Sequence, residues 1–345
     1  MKFSTVFCAA AVSTLAMLSM ANADVNVGVQ QILAPSKERG ANLDVTVWYP
    51  AQGGGEQTLL GDNRFFAGTT ASRNAPIING KHPVILLSHG TGGYAPALGW
   101  IAVPLAKAGY IVAAPNHPGS TGEDLSAAET FKMWLRPADL TATLDAIENV
   151  SSLKDDIDTN RVGAIGFSLG GSTVFAVAGG RMNPQLLASY CDTSSRNPYM
   201  CGWVKQSGVD LHAMNLELAG RNNIDARVHA IVAVDPGPSD VFTRESIANI
   251  SIPVDIISLG RPEDSLPTLD ASEIAGTIKG ARHDRIERAV HESMVAECKT
   301  GASEALKREK LPPLCDDGDG NSRSAIHAQL IDMITEAFDR TLKAQ

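Results

Sequence analysis

Five short runs of almost unbroken apolar residues constrain this chain more than any other feature: residues 83–87, 110–114, 162–165, 230–234 and 254–259. A strand that is apolar on both faces must be covered on both, which argues for a parallel sheet between helices. Residues 139–147, 172–178, 271–278 and 325–342 carry apolar positions at helical spacing and separate or follow those runs. Alternating strand and helix predicts an α/β fold with a mostly parallel, doubly wound sheet. Ahead of it, Val25, Val27 and Val29, then Leu43, Val45, Val47 and Tyr49, alternate with polar residues. Period two predicts antiparallel strands there, with one solvated face. Residues 182–225 break the pattern, being long, partly helical and polar in places, and read as an insertion capping one end of the sheet.

The first 23 residues are an address rather than a fold. Lys2 precedes an uncharged apolar stretch over residues 6–21, and Ala21-Asn22-Ala23 forms a small-residue cleavage site before Asp24. The expected product is a secreted or periplasmic chain, residues 24–345, with one domain and 182–225 inserted into it. A transmembrane anchor needs about 20 consecutive apolar residues, and no later stretch is that long. Cys191, Cys201, Cys298 and Cys315 follow the leader, and in an oxidising compartment they read as disulfides. Of the three possible pairings, loop-closure cost favours Cys191–Cys201 with Cys298–Cys315. A net charge of −9 without a Lys/Arg cluster argues against a nucleic-acid partner. The acidic stretch 316–321 lacks the glycine and glutamate of a calcium loop, so no metal is expected there.

Chemistry is signalled by Gly166-Phe167-Ser168-Leu169-Gly170-Gly171, directly after one apolar run and before a helical stretch. A serine in a tight strand-to-helix turn, flanked by small residues, is presented at the carboxyl edge of the sheet as a nucleophile. Ser88-His89-Gly90-Thr91-Gly92-Gly93 follows the run at 83–87, where an oxyanion-binding loop belongs. The two backbone donors expected are the Leu169 and Thr91 amides.

Together with Asn116-His117-Pro118-Gly119, Arg136-Pro137-Ala138-Asp139, Asp158-Thr159-Asn160-Arg161-Val162 and Ala233-Val234-Asp235-Pro236, these motifs make the chain resemble the α/β-hydrolase superfamily. Within it the resemblance is to secreted serine esterases grouped with platelet-activating-factor acetylhydrolases and dienelactone-hydrolase-like proteins. True dienelactone hydrolases use a cysteine where this chain has Ser168, so that substrate does not carry over. The superfamily order of nucleophile, acid and histidine leaves His283, His291 and His327 as bases. His291, in the loop after a short strand expected at 285–290, is the first choice, and His327 reads as a packing residue in the last helix. For the acid, the acetylhydrolase-like relatives imply Asp235, whereas the wider superfamily implies the next loop, with Glu263 or Asp264. Asp235 is favoured because Asp-Pro sits at a strand end. By the same analogy His117 could border the pocket, with a plain turn histidine as the alternative.

The resemblance implies hydrolysis of a small-molecule or lipid carboxylic ester with no cofactor and no metal. Thioesters, amides or polyesters are alternatives on the same triad, as is a non-catalytic binding role. Trp203 and apolar neighbours in 182–225 are candidate acyl contacts.

Overall fold

The computed structural model describes residues 26–318 and 321–343; the expected leader lies outside them. Ten strands form one mixed sheet: β1 (Asn26–Ser36), β2 (Ala41–Ala51), β3 (Glu56–Leu60), β4 (Thr69–Arg73), β5 (His82–Ser88), β6 (Ile111–Pro115), β7 (Ile157–Phe167), β8 (Val228–Val234), β9 (Val254–Leu259) and β10 (Arg282–Ile286). Their order is β10-β9-β8-β7-β5-β6-β2-β1-β4-β3. From β6 to β10 every pairing is parallel, while β2 runs antiparallel to both β1 and β6. The helices are α1 (Gly99–Lys107), α2 (Ala127–Thr130), α3 (Leu135–Ile147), α4 (Leu169–Val177), α5 (Pro184–Ala188), α6 (Pro198–Gln206), α7 (Arg244–Ala248), α8 (Ser272–Thr277), α9 (Ala302–Arg308) and α10 (Arg323–Phe338).

The apolar runs do what their composition requires. In β5, Val84 and Leu86 enter the core beneath α3 and α4, whereas Ile85 and Leu87 enter the opposite core under α1 and α10. β6 divides in the same way, with Ile111 and Ala113 against Val112 and Ala114. Burial on both faces therefore follows from strict alternation between two cores.

Two expectations need correction. β2 was expected to keep one face wet, yet Val45 through Ala51 is buried throughout. It lies inside the sheet rather than at its edge, and α1 covers the Trp48 face. The strand expected at 285–290 is instead β10, and His283 sits within it, its Nε2 2.9 Å from Ser258 Oγ.

Both local disulfides are present, Cys191–Cys201 and Cys298–Cys315. Residues 182–225 lie between α4 and β8 and contain α5, α6 and several 3₁₀ turns. Among the described residues no helix is long and apolar enough to cross a membrane.

Candidate active site

Ser168 stands between β7 and α4 with φ of 53° and ψ of −118°, a backbone state that costs a non-glycine residue about 1–3 kcal/mol. Its surroundings hold it there. The Ser168 amide donates to Val234 O at 3.0 Å, and its carbonyl accepts from Gly171 N at 2.8 Å and Gly237 N at 3.0 Å. A β-carbon on Gly166 would fall 1.9 Å from Gly170 O, and one on Gly170 2.0 Å from Ser88 O. The glycines thus let β5, β7 and α4 close in around the serine, which only an absent side chain permits.

His291 opens a 3₁₀ turn, His291–Met294. Its Nε2 lies 2.9 Å from Ser168 Oγ and its Nδ1 2.6 Å from Asp235 Oδ2. A carboxylate only accepts, so Nδ1 carries the proton and Nε2 is left to accept from the serine hydroxyl. Asp235 follows β8, is 4% exposed, and takes a further bond on Oδ1 from Leu259 N at 2.9 Å. Burial, the largest single influence, pulls the His291 pKa down, but the Asp235 hydrogen bond and charge together with the Glu292 charge outweigh it, and the net shift is upward. Glu263 and Asp264 do not take part: both are exposed, in the 3₁₀ turn Pro262–Asp264, and both pair with Arg261.

Gly90 lies against the serine, where a β-carbon would stand 3.1 Å from Ser168 Cβ. Next to it, neither the Thr91 amide nor that of Leu169, the first residue of α4, has a hydrogen-bond partner among the described residues. Thr91, Ser168, Leu169, Asp235 and His291 all line one cavity of about 1290 Å³. Phe131, Met133, Leu266 and Leu269 form part of its walls, and the 182–225 segment adds Tyr190, Tyr199, Met200 and Trp203. That segment is tied down by Cys191–Cys201, by Tyr190 Oη 3.0 Å from Thr268 Oγ1, and by an Arg196–Asp240 ion pair.

A second Ser-His-Asp chain lies behind the first, and it was not foreseen from the sequence. Ser88 Oγ is 2.9 Å from His117 Nε2, and His117 Nδ1 is 2.9 Å from Asp139 Oδ2. All three side chains are wholly buried and none lines the cavity. This corrects the expectation that His117 borders the pocket: it faces inward, packed on the His89 ring at 4.8 Å. The residues were visible as motif members, but only the pairing of β5 with β6 brings Ser88 and His117 together. His327, as expected, is a packing residue, stacked on Trp100. Among the described residues no His, Cys, Asp and Glu cluster is arranged to hold a metal ion.

This geometry has counterparts among known proteins. A family model described as chlorophyllase matches residues 71–191. A platelet-activating factor acetylhydrolase from Canis lupus familiaris is 32% identical across 32% of this chain and 36% of its own length. The one from Bos taurus is 31% identical across 31% and 34%. The chain therefore spans about a third of the length of these curated relatives. A solved ferulic acid esterase from Streptomyces cinnamoneus aligns with a TM-score of 0.61 over 95% of this chain and 93% of that one, at 19% identity. The chain has the α/β-hydrolase fold. The match of this chain to the chlorophyllase model takes in Thr91, Ser168 and the whole buried Ser88–His117–Asp139 chain, and ends before Asp235 and His291.

Proposed function

We propose that this α/β hydrolase is a secreted serine carboxylic-ester hydrolase working through Ser168, His291 and Asp235. The observation that carries the reading is the continuous hydrogen-bond chain from Asp235 through His291 to Ser168 Oγ, opening on a cavity beside two unengaged backbone amides. His291 Nε2 takes the serine proton as Oγ attacks the ester carbonyl, and the Thr91 and Leu169 amides receive the negative charge that forms on the carbonyl oxygen. His291, now cationic and facing Asp235, returns the proton to the leaving alcohol. Water, deprotonated by the same nitrogen, then releases the acid from the acyl-enzyme.

Residues 182–225 act as the cap that shapes the acyl site, a role supported by the Tyr190, Met200 and Trp203 lining. Release into an oxidising compartment after cleavage at Ala23 is supported by the two disulfides. The Ser88–His117–Asp139 chain is not a rival nucleophile, because its serine is sealed from the cavity and also faces the Arg136 guanidinium at 3.4 Å.

The test is labelling with a fluorophosphonate probe followed by peptide mass spectrometry, together with hydrolysis of p-nitrophenyl butyrate. Wild type is expected to carry the label on Ser168, and Ser168→Ala to lose both label and turnover. A Ser168→Ala protein that hydrolyses at the wild-type rate overturns the reading. Inertness of wild type toward esters, with turnover of thioesters, amides or polyesters, would keep the triad and change the substrate; no labelling at all would favour a binding protein.

A further inference from the structure

We propose that Arg136 is a positioning residue for the oxyanion loop: its buried guanidinium holds the 88–93 loop so that the Thr91 amide faces the ester carbonyl. The inference rests on the ester-hydrolase reading and deepens it by naming what keeps the amide in place.

Arg136 sits in the first turn of α3, does not line the cavity, and is 2% exposed. Its donors are spread over three elements. Nε donates to Thr173 Oγ1 on α4 at 3.0 Å, Nη1 to Ser120 Oγ at 2.9 Å, and Nη2 to the His89 carbonyl within the loop itself. Ser120 in turn grips the loop from outside, since its carbonyl accepts from Gly92 N at 2.9 Å. The peptide carrying Thr91 is thus flanked by two residues, His89 and Gly92, whose backbone groups are both tied to Arg136 or to its partner.

The rest of the buried network fixes the proton positions that make this arrangement rigid. His89 Nδ1 donates to Gly90 O at 2.7 Å and its Nε2 accepts from His117 N at 3.0 Å, which selects one neutral tautomer. His117 donates from Nδ1 to Asp139, so its Nε2 accepts from the Ser88 hydroxyl. Arg39 closes the chain with a two-pronged bond to Asp139 at 2.7 and 3.0 Å. Two guanidinium cations against one carboxylate leave a net positive charge directly behind the loop. Burying such charge is costly, and an apolar residue would fill the space without it. Spread over three elements, it instead secures a backbone donor on which a preorganised oxyanion site depends.

The experiment compares wild type, Arg136→Lys and Arg136→Met as the full secreted chain. Three quantities are measured: kcat and KM for p-nitrophenyl butyrate, and inhibition by an alkyl trifluoromethyl ketone, which adds to a reactive serine to give a tetrahedral oxyanion. Losing alignment of one of two donors should lower kcat by about 10²-fold and weaken the ketone by a similar factor, with KM within about threefold. Lysine keeps the charge but cannot reach all three acceptors, so Arg136→Lys should resemble Arg136→Met more than wild type.

A folded Arg136 variant with wild-type kcat overturns the proposal, as does a fall in kcat without a matching fall in ketone affinity. If circular dichroism finds both variants unfolded, Ser120→Ala decides, with an expected parallel loss of about threefold to tenfold in kcat and ketone affinity; no change in either overturns the proposal. Wild type inert to esters and to the ketone would instead sink the ester-hydrolase reading, and this inference with it.

Discussion

Asp235 and Ser168 both occupy positive-φ backbone positions, at 42° and 53°, although neither is glycine. Such strain is kept where the side chain is needed. Replacing Ser168 by glycine should therefore abolish turnover yet raise stability by about 1 kcal/mol relative to Ser168→Ala, since glycine accepts this conformation freely; thermal melts of the two variants decide it. Asp235→Asn should lower kcat about 10⁴-fold, because an amide no longer dictates which imidazole nitrogen holds the proton. The pH profile carries a second signature. His291 acts as a base only when neutral, and its pKa is raised by Asp235 against the opposing pull of burial. Activity should fall on the acid side through a midpoint above the ordinary histidine value of about 6.5, and Asp235→Asn should move that midpoint down. A profile of kcat/KM against pH unaltered in position would remove Asp235 from the role. The glycine-flanked serine was legible from sequence because each small residue answers a steric demand. The choice between Asp235 and Glu263 or Asp264 was not settled, since both follow parallel strands and only the fold brings one of them to His291.

At the scale of elements, the buried central strands were readable because two cores impose apolar residues at every position. Others carried no such imprint. β3 and β4 lie at the outer edge of the sheet and are short and largely polar. α1 contains Pro104 and α3 contains Pro137 in its first turn, where proline masks a helical pattern. β10 is mostly exposed, so its alternation held no hydrophobic signal. The disulfide pairing was legible because short loops close cheaply. Cys191–Cys201 joins the chain after α5 to α6, which brings Met200 and Trp203 to the cavity. Cys191→Ser with Cys201→Ser should cost about 2–3 kcal/mol of stability. It should raise KM for long-chain esters more than for the acetyl ester, with kcat on the acetyl ester little changed. An equal effect on both chain lengths would detach the segment from acyl recognition.

For the molecule as a whole, two polar chains are built from the same three residue types, one open to the cavity and one sealed. The histidines buried around and beyond them set the response to acid. Burial holds His89 and His117 well below the ordinary value and His327 down at about 4. A depressed folded pKa means that the unfolded chain binds the proton first. The associated stability is complete above about pH 6.5 and is lost as pH falls, for His327 between about 6.5 and 4. His291 has the opposite sign, adding stability at low pH that is lost as pH rises through its raised pKa. With the half-buried His283 also lowered and the exposed His212 raised, four depressed groups against two predict a melting temperature that drops between about pH 6.5 and 4, and a flat profile across that range would contradict the assignment. The sealed chain escaped sequence reading because its members come from β5, the loop after β6, and α3, which meet only once the sheet has formed.

The register of β7 with β8 pairs Phe167 with Val234, so Ser168 and Asp235 each come directly after one of two paired strand ends. Their placement side by side is set by the pairing of two strands, which run about 4.8 Å apart, and not by loop length. Insertions or deletions in the surface connections, the 182–225 segment included, can accumulate without altering how Ser168 sits relative to Asp235. A single residue added within either strand would turn the side chain that follows that strand, Ser168 or Asp235, to the wrong face. The part of this chain least free to drift in length is therefore the interior of two strands that do not line the cavity.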